Sequence, residues 1–552
     1  MYAVKDKSKN FRELLFNLPQ YYEGKDVFRE VDGEGIAPTS AEQFKDMVVG
    51  LASALADLGV LPDGKVAVIG ETSVKWIAAY FAAVTGGGVI VPVDKELPDD
   101  EIAEVINDSG AVAVVYAKSY SGVIRGIQDN LKAVRHYIGM AGGGDGHLAF
   151  DELVDKCRAP GDAAYMATNL DENALSSLLY TSGTTGKSKG VMLTQWNILQ
   201  DARGLVKLVK YRPTTMSVLP IHHSYEFAAG IMAALMAGTT ICINDSLRNF
   251  MPNLQRFSPH MMYIVPAFAE MIYARIWQGA KAAGSEQQLK AAIVKSNALL
   301  EQGEDRRAAF FSGIKEQLGG NLEFMISGGA PLPKHVPAAF RELGITLIEG
   351  YGITECAPVV SVNPDQQPKD GSIGLPIFCC DVKIKDKNVE GNGEIWAKGD
   401  NVMLGYYKNP AATAEVMEDG WFNTGDIGYM DEDGYLFITG REKNLIVLSN
   451  GKNVYPEEIE GYLMRVPYIK EVMVYAPLED GLSEVRLMAE VFVDEQKRAE
   501  MDAAALQSEL EADIAEVNKT LPTYKQVRDV RVRDREFEKT TKKTIKRFTV
   551  TR

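Results

Sequence analysis

The sequence predicts an α/β protein: a large N-terminal domain of two layered α/β subdomains with a small β-rich subdomain, followed by a small, mobile α+β C-terminal domain. Three observations carry this prediction. Short β-branched and apolar runs recur along the chain, most followed by a helical pattern, which is the alternation of a helix-covered parallel sheet. A helix-turn-strand block appears twice, at 76–93 and at 228–243. From about Gly371 the texture changes to short strands separated by glycine turns, as in GEIWAKG and MDEDGYLFITG.

The expected strands are 65–69, 112–116, 178–180, 261–265, 323–326 and 345–349. Segment 76–93 has 18 consecutive uncharged residues, the crude length of a membrane span. Gly86, Gly87 and Gly88 interrupt it, and the β-branched Val89, Ile90 and Val91 follow, so it reads as a buried helix, a turn and a strand. Segment 228–243 repeats this plan, with its turn at Gly238 and its strand around Ile241. Residues 278–319, rich in Ala, Leu, Lys and Glu, read as a helical insertion into the sheet pattern. The large domain is expected over 1–440, with its β-rich subdomain at about 371–440, and the small domain over 441–552, with a hinge near 440–444 and a lysine-rich end at 538–547.

The 552 residues are 46% apolar and 24% charged, enough for more than one buried core. A net charge of −16 argues against a nucleic-acid partner, since neutralising phosphates takes a concentrated Lys/Arg surface. Cys157, Cys242, Cys356, Cys379 and Cys380 form no CxxC pair, so they read as buried thiols in a reducing compartment. Lys5, Asp6, Lys7, Lys9, Arg12 and Glu13 leave no apolar core for a signal peptide near the start, and a cytoplasmic location is expected. Peripheral membrane contact stays open because it needs only a surface patch.

The chemistry begins at LLYTSGTTGKSKGVMLT, residues 178–194. A hydrophobic strand runs into Thr181, Ser182, Gly183, Thr184, Thr185, Gly186, Lys187, Ser188, Lys189 and Gly190. Here glycines let backbone amides approach an anion, and hydroxyls and lysines donate to it. A polar turn after a strand would account for one or two of these residues but not the whole run. The ending Gly186-Lys187-Ser188 partly mimics a P-loop, but that motif needs glycine where Thr181 stands.

The segment resembles the phosphate loop of the adenylate-forming superfamily, which includes acyl-CoA synthetases, nonribosomal adenylation domains and firefly-type luciferases. The family pattern is (Y/F)TSGTTGxPKG, and Ser188 replaces its usual proline. Further motifs follow in family order. SVLPIHHSYE, 217–226, resembles the LPxxH segment, and the resemblance puts His223 near the acid's carboxylate. Taken alone, the pair His222-His223 reads more readily as a structural hydrogen-bonding element.

Ser327, Gly328, Gly329 and Ala330 follow a strand, a backbone surface that a flat base can approach. The resemblance makes it an adenine-binding loop. EGYGITE, 349–355, resembles the YGxTE motif. Its Glu349, Gly350, Tyr351 and Gly352 then border the nucleotide, Tyr351 stacks on adenine, Thr354 bonds a phosphate oxygen, and Glu355 with Thr184 holds Mg²⁺. Asp426 has two oxygens to accept both ribose hydroxyls, although its segment reads equally as a β-turn without the family. Arg441 suits phosphate or ribose. Lys443 resembles the interdomain hinge, and Gly451 lies in a segment that, in the family, faces the thiol tunnel.

Relatives end with a lysine that reaches the carboxylate and the α-phosphate. Aligned on Ile545, Lys546 and Arg547, that position is Thr544, with Lys543 one residue earlier. Two readings follow: Lys543 takes the role by a register change, or Lys542, Lys543, Lys546 and Arg547 form a solvated basic tail and adenylation is slow. The resemblance implies ATP, Mg²⁺ and coenzyme A, with Lys543, His223, Thr184 and Glu355 as the catalytic set. The expected product is a fatty acyl-CoA, because 225–230 and 348–350 are mostly apolar or small with no Asp or Lys to pair with an amino acid's charged groups, and 265–273 and 278–319 resemble long-chain acyl-CoA synthetases. Transfer to an acyl carrier protein, or an adenylation-impaired acyl or nucleotide binder, are the alternatives. The sequence carries no signal for oligomeric state.

Overall fold

The computed structural model describes all residues except 158–162, 182–187, 334, 449–452, 478–485, 540–544 and 548–552. The chain divides into two compact units, Met1–Val382 with Ala397–Phe422, and Lys383–Trp396 with Asn423–Arg552.

The first unit is built on two large sheets. One has nine strands in the spatial order Leu375–Pro376, Val359–Val362, Thr346–Gly352, Phe324–Ser327, Met261–Ile264, Thr214–Ser217, Thr240–Ile243, Phe28–Asp32 and Gly35–Thr39. Its middle is parallel and its edges antiparallel. The other has eight: Gly405–Tyr406, Lys189–Thr194, Leu175–Thr181, Val89–Pro92, Lys65–Ile69, Ala113–Tyr116, His136–Gly139 and Leu148–Ala149. The two repeated blocks supply one inner strand to each sheet, Val89–Pro92 and Thr240–Ile243, as two related layers require.

The helix Val74–Thr85 shows why 76–93 stays in the protein. The Ser73 hydroxyl caps it by accepting from the Trp76 amide, and Gly87, at φ +88°, lets the chain reverse into the strand. Trp76, Tyr80 and Phe81 are fully buried in protein, each contributing about 2–3 kcal/mol of apolar burial. Among the described residues no helix is long and apolar enough to cross a membrane.

The structure differs from the sequence reading in several places. The helix of the second block starts with π-helical turns, Glu226–Met232, before the α-turns Ala233–Ala237. The strand at 178–180 is longer, Leu175–Thr181, and is followed by the antiparallel strand Lys189–Thr194 rather than by a helix. The helix waits until Gln195, where Thr194 and Asn197 form a reciprocal cap. The strand at 345–349 continues to Gly352, because the chain returns antiparallel at Val359–Val362 and pairs with it. Short strands from 371–440 disperse: Leu375–Pro376 joins the nine-stranded sheet and Gly405–Tyr406 the eight-stranded one. All five cysteines are free, but only Cys242, Cys356 and Cys380 are buried, while Cys157 and Cys379 are half-buried.

Helices Pro266–Ala282 and Glu286–Glu301 occupy much of the predicted insertion. Ile272, Ile276 and Phe311 anchor the region in a core with Met262 and Phe340. The second unit contains a three-stranded sheet, Ile469–Tyr475, Met488–Val493 and Asp529–Val532, with helices Pro456–Leu463 and Ala503–Asn518. Its core gathers Ile459, Leu463, Val474, Val491, Leu506 and Leu510.

Candidate active site

The phosphate-loop segment joins two antiparallel strands. Thr181 lies opposite Lys189 in register, and its hydroxyl donates to the Lys189 carbonyl at 3.5 Å. Ser182, Gly183, Thr184, Thr185, Gly186 and Lys187 lie outside the described residues. Strand pairing turns Lys189 toward Tyr406, its Nζ 4.9 Å from the ring centroid. The Tyr406 hydroxyl donates to Glu355 Oε1 at 2.8 Å. Burial, and then the Glu355 charge, push the Tyr406 phenol far above its ordinary range, so it stays a donor. Glu355 is itself buried, on the single turn Thr354–Cys356. Lys189 and Glu355, both predicted from sequence, are therefore joined by a tyrosine that the sequence reading missed. The only sequence signal for Tyr406 was the aromatic pair in LGYYKNP.

The parallel strands of the nine-stranded sheet bring the other motifs together. Ser327 ends one strand opposite Glu349 of the next, so the Ser327–Ala330 and Glu349–Gly352 motifs sit side by side where the parallel strands end, the usual place for a ligand crevice in an open α/β sheet. The Ser327 hydroxyl is buried without a hydrogen-bond partner, and Gly329 and Ala330 are exposed. Gly328 has a role within the protein as well: a Cβ there would lie 2.9 Å from the Tyr225 ring, whose hydroxyl donates to the Ile326 carbonyl at 3.0 Å. A Cβ on Gly352 would lie 2.4 Å from the Pro358 carbonyl oxygen, so the returning chain itself requires glycine there, while Gly350 meets only ordinary contacts. Tyr351 is largely buried, and the Leu332 amide donates to Glu349 Oε1 at 3.4 Å. Thr354 Oγ1 accepts from Ser224 Oγ at 3.3 Å, which ties the YGxTE segment to the histidine segment. His223 follows Pro220 in a turn, its amide donating to the Pro220 carbonyl at 3.1 Å.

Glu226 opens the π-helical turns with both carboxyl oxygens buried and without geometric hydrogen bonds. Gly230 leaves room for it, since a Cβ there would lie 2.9 Å from the Glu226 carboxyl. Burial pushes the carboxyl up to about 8, with Ser217 and the Leu219 amide opposing. The folded group thus keeps its proton where an unfolded glutamate, near 4.5, has lost it. The stability from this group is complete below the unfolded value and drains as pH rises through the folded one. Glu226→Gln should flatten the fall in melting temperature between about pH 4.5 and about pH 8. An unchanged slope would show that Glu226 is ionised in the folded protein.

In the second unit, Asp426 lies within the strand Trp421–Met430 and not in a turn, because Leu436–Arg441 pairs along it. Asp426 is opposite Arg441 in register, and its buried carboxylate is 3.0 Å from Arg441 Nε. That contact is a local ion pair in which the arginine already meets the carboxylate expected from the resemblance to bind ribose. Lys443 sits on the turn Glu442–Asn444, where desolvation by neighbours, then the Arg441 charge, lower its ammonium against Asp426 and Glu457. Gly451, Lys543 and Thr544 lie outside the described residues. Around the last two, Lys539 bridges Ile545, the Lys546 amide donates to the Glu538 carbonyl at 2.7 Å, and Arg547 pairs with Glu460. Among the described residues no group of three or more metal-binding side chains gathers. A single carboxylate such as Glu355 suits Mg²⁺, which takes one or two protein oxygens and completes its shell with substrate phosphates and water.

The AMP-binding enzyme family model matches residues 26–407, and an AMP-binding enzyme C-terminal domain matches 443–552. Long-chain-fatty-acid–CoA ligase FadD15 of Mycobacterium bovis is 31% identical over 521 residues, which is 89% of this chain and 84% of that protein. A long-chain-fatty-acid–CoA ligase of Escherichia coli is 29% identical over 450 residues, 75% of this chain and 74% of its own length. In fold, the chain matches the anthranilate CoA ligase AuaEII in complex with anthranoyl-AMP with a TM-score of 0.78 at 20% identity, over 98% of this chain and 96% of that one. It matches a Mycobacterium tuberculosis fatty acyl CoA synthetase with a TM-score of 0.68 at 22% identity, over 99% and 98%. The order of motifs, the two sheets that carry them and these matches agree: the chain belongs to the AMP-binding enzyme family, the adenylate-forming ligases that its motifs resemble.

Proposed function

We propose that the protein is an ATP-dependent acid–thiol ligase that forms a fatty acyl-adenylate and then a fatty acyl-CoA thioester. The observation that carries this most directly is the chain Lys189–Tyr406–Glu355 beside the ends of the phosphate-loop segment. In the first step the acid's carboxylate oxygen attacks the ATP α-phosphorus and pyrophosphate leaves. In the second the coenzyme A thiol attacks the acyl carbonyl, and AMP departs with the former carboxylate oxygen. Lys189, with Thr184, is proposed to meet the outgoing phosphates, and Tyr406 fixes the Glu355 carboxylate. Glu355 and Thr184 would hold Mg²⁺, which would supply positive charge to the phosphates. Ser327 to Ala330 and Glu349 to Gly352 are proposed to hold adenine and ribose with Tyr351, Asp426 and Arg441, and His223 to meet the acid's carboxylate. Lys443 is the proposed hinge between 1–440 and 441–552, and Gly451 the passage for the thiol arm.

The fatty acid reading is supported by the names of the two ligases quoted above and by the largely apolar acid segment around Phe227 to Gly230. The test is a panel of acids of graded length, with aryl acids and amino acids, assayed with ATP and coenzyme A for AMP release. Long-chain fatty acids should give the highest kcat/KM, and activity confined to aryl or amino acids would overturn the reading. Running the same panel with a phosphopantetheinyl carrier protein in place of coenzyme A separates the two acceptors.

A further inference from the structure

Asp94 stands just beyond the strand Val89–Pro92 of the eight-stranded sheet, and His222 just beyond Thr214–Ser217 of the nine-stranded sheet. Their side chains meet at the strand ends, with His222 Nε2 3.1 Å from Asp94 Oδ1. The contact has the distance of an ion pair without the alignment of a hydrogen bond. The Glu96 amide donates to the same Asp94 oxygen at 2.8 Å and fixes the carboxylate from its own side. Burial raises the Asp94 carboxyl, but the His222 ring, the Glu96 amide and the His223 charge together hold it below the usual range. The Asp94 charge also acts on the Tyr120 phenol, which burial, then the charges of Glu71 and Asp94, raise above its ordinary value. The His222 ring packs on His223, centroids 4.2 Å apart and planes at 54°. The next residue, Ser224, reaches Thr354, the neighbour of Glu355.

We propose that Asp94 and His222 are positioning residues for adenylation, the carboxylate holding His222 and the His222 ring fixing the side chain of His223 against the acid. This rests on the ligase reading above. Packing alone does not account for the pair, since a mostly buried ion pair adds little net stability compared with apolar side chains of the same size. Its imperfect alignment is what a catalytic contact shows before substrate tightens it. Asp94 lies outside the motifs that carry the family resemblance, and His222 fills a variable position within LPxxH.

The test uses the full chain and acid-dependent ATP–pyrophosphate exchange. Asp94→Asn and His222→Phe should each lower kcat/KM for the acid about ten- to hundredfold, with KM for ATP unchanged whatever melting temperature is lost from breaking the pair. Asp94→Glu should recover part of the loss. Wild-type kinetics in both variants would overturn the proposal, and so would a common fall in ATP affinity and melting temperature, which marks a merely structural bridge. A second readout needs no activity: with the six histidines ¹³C-labelled, Asp94→Asn should shift the ring signals of both His222 and His223. An unmoved His223 signal overturns the proposal. A wild-type protein inactive with every acid would instead overturn the ligase reading, leaving the histidine signals to judge the pair.

Discussion

Glu355→Gln should slow ATP–pyrophosphate exchange about a hundred- to a thousandfold. The side chain is buried, and its Oε1 accepts the Tyr406 hydroxyl, which a glutamine oxygen also accepts. The substitution therefore keeps the local packing and removes the charge. That charge is proposed to hold Mg²⁺ across the phosphates, so the variant should also need more Mg²⁺ to reach half its maximal rate. The melting temperature should move little. A variant with wild-type exchange at ordinary Mg²⁺ would remove Glu355 from the reaction. A large loss of melting temperature would mean that the Tyr406 contact serves the fold first.

Lys543→Ala should slow the same exchange by about 2–4 kcal/mol, roughly thirty- to a thousandfold, the loss expected when a donor to developing charge is removed. An ammonium offsets the charge that builds as carboxylate meets α-phosphate, and Thr544 at the family position has none. The segment is bounded by fixed residues: Lys539 bridges Ile545 and pairs with Glu471, and Arg547 pairs with Glu460 and donates to the Val474 carbonyl at 3.1 Å. Restoring a lysine one place later, Thr544→Lys in the Lys543→Ala background, should recover the exchange rate. Thioester formation from preformed acyl-adenylate should be unaffected in both variants. An unchanged rate in Lys543→Ala would leave the basic residues of 542–547 as a solvated tail.

Particular residues show how far the sequence reaches. Val89, Ile90 and Val91 were legible as a buried strand because β-branched side chains bounded by glycine and proline suit little else. The π-turns at Glu226 were not legible, since an apolar small-residue run has the same composition in an α-helix and depends on Gly230 giving room to the carboxyl. Asp426 shows the reverse limit. GWFNTGD has turn composition, yet pairing with Leu436–Arg441 draws it into a strand, because the ladder hydrogen bonds outweigh local preference.

The sequence by itself determined the chemistry: which hydroxyls, glycines, lysines and carboxylates occur, in an order that identifies an adenylate-forming ligase, and the α/β alternation that carries them. Those features are local, and spacing along the chain records them. The tertiary structure alone decided which groups meet. Lys189 reaches Tyr406 and Tyr406 reaches Glu355 because Gly405–Tyr406 pairs with the strand after the phosphate-loop segment. Asp94 meets His222 because strands of two different sheets end near one another. Such contacts join residues far apart in sequence, and the order of strands within a sheet, which fixes them, leaves no period or motif in the chain.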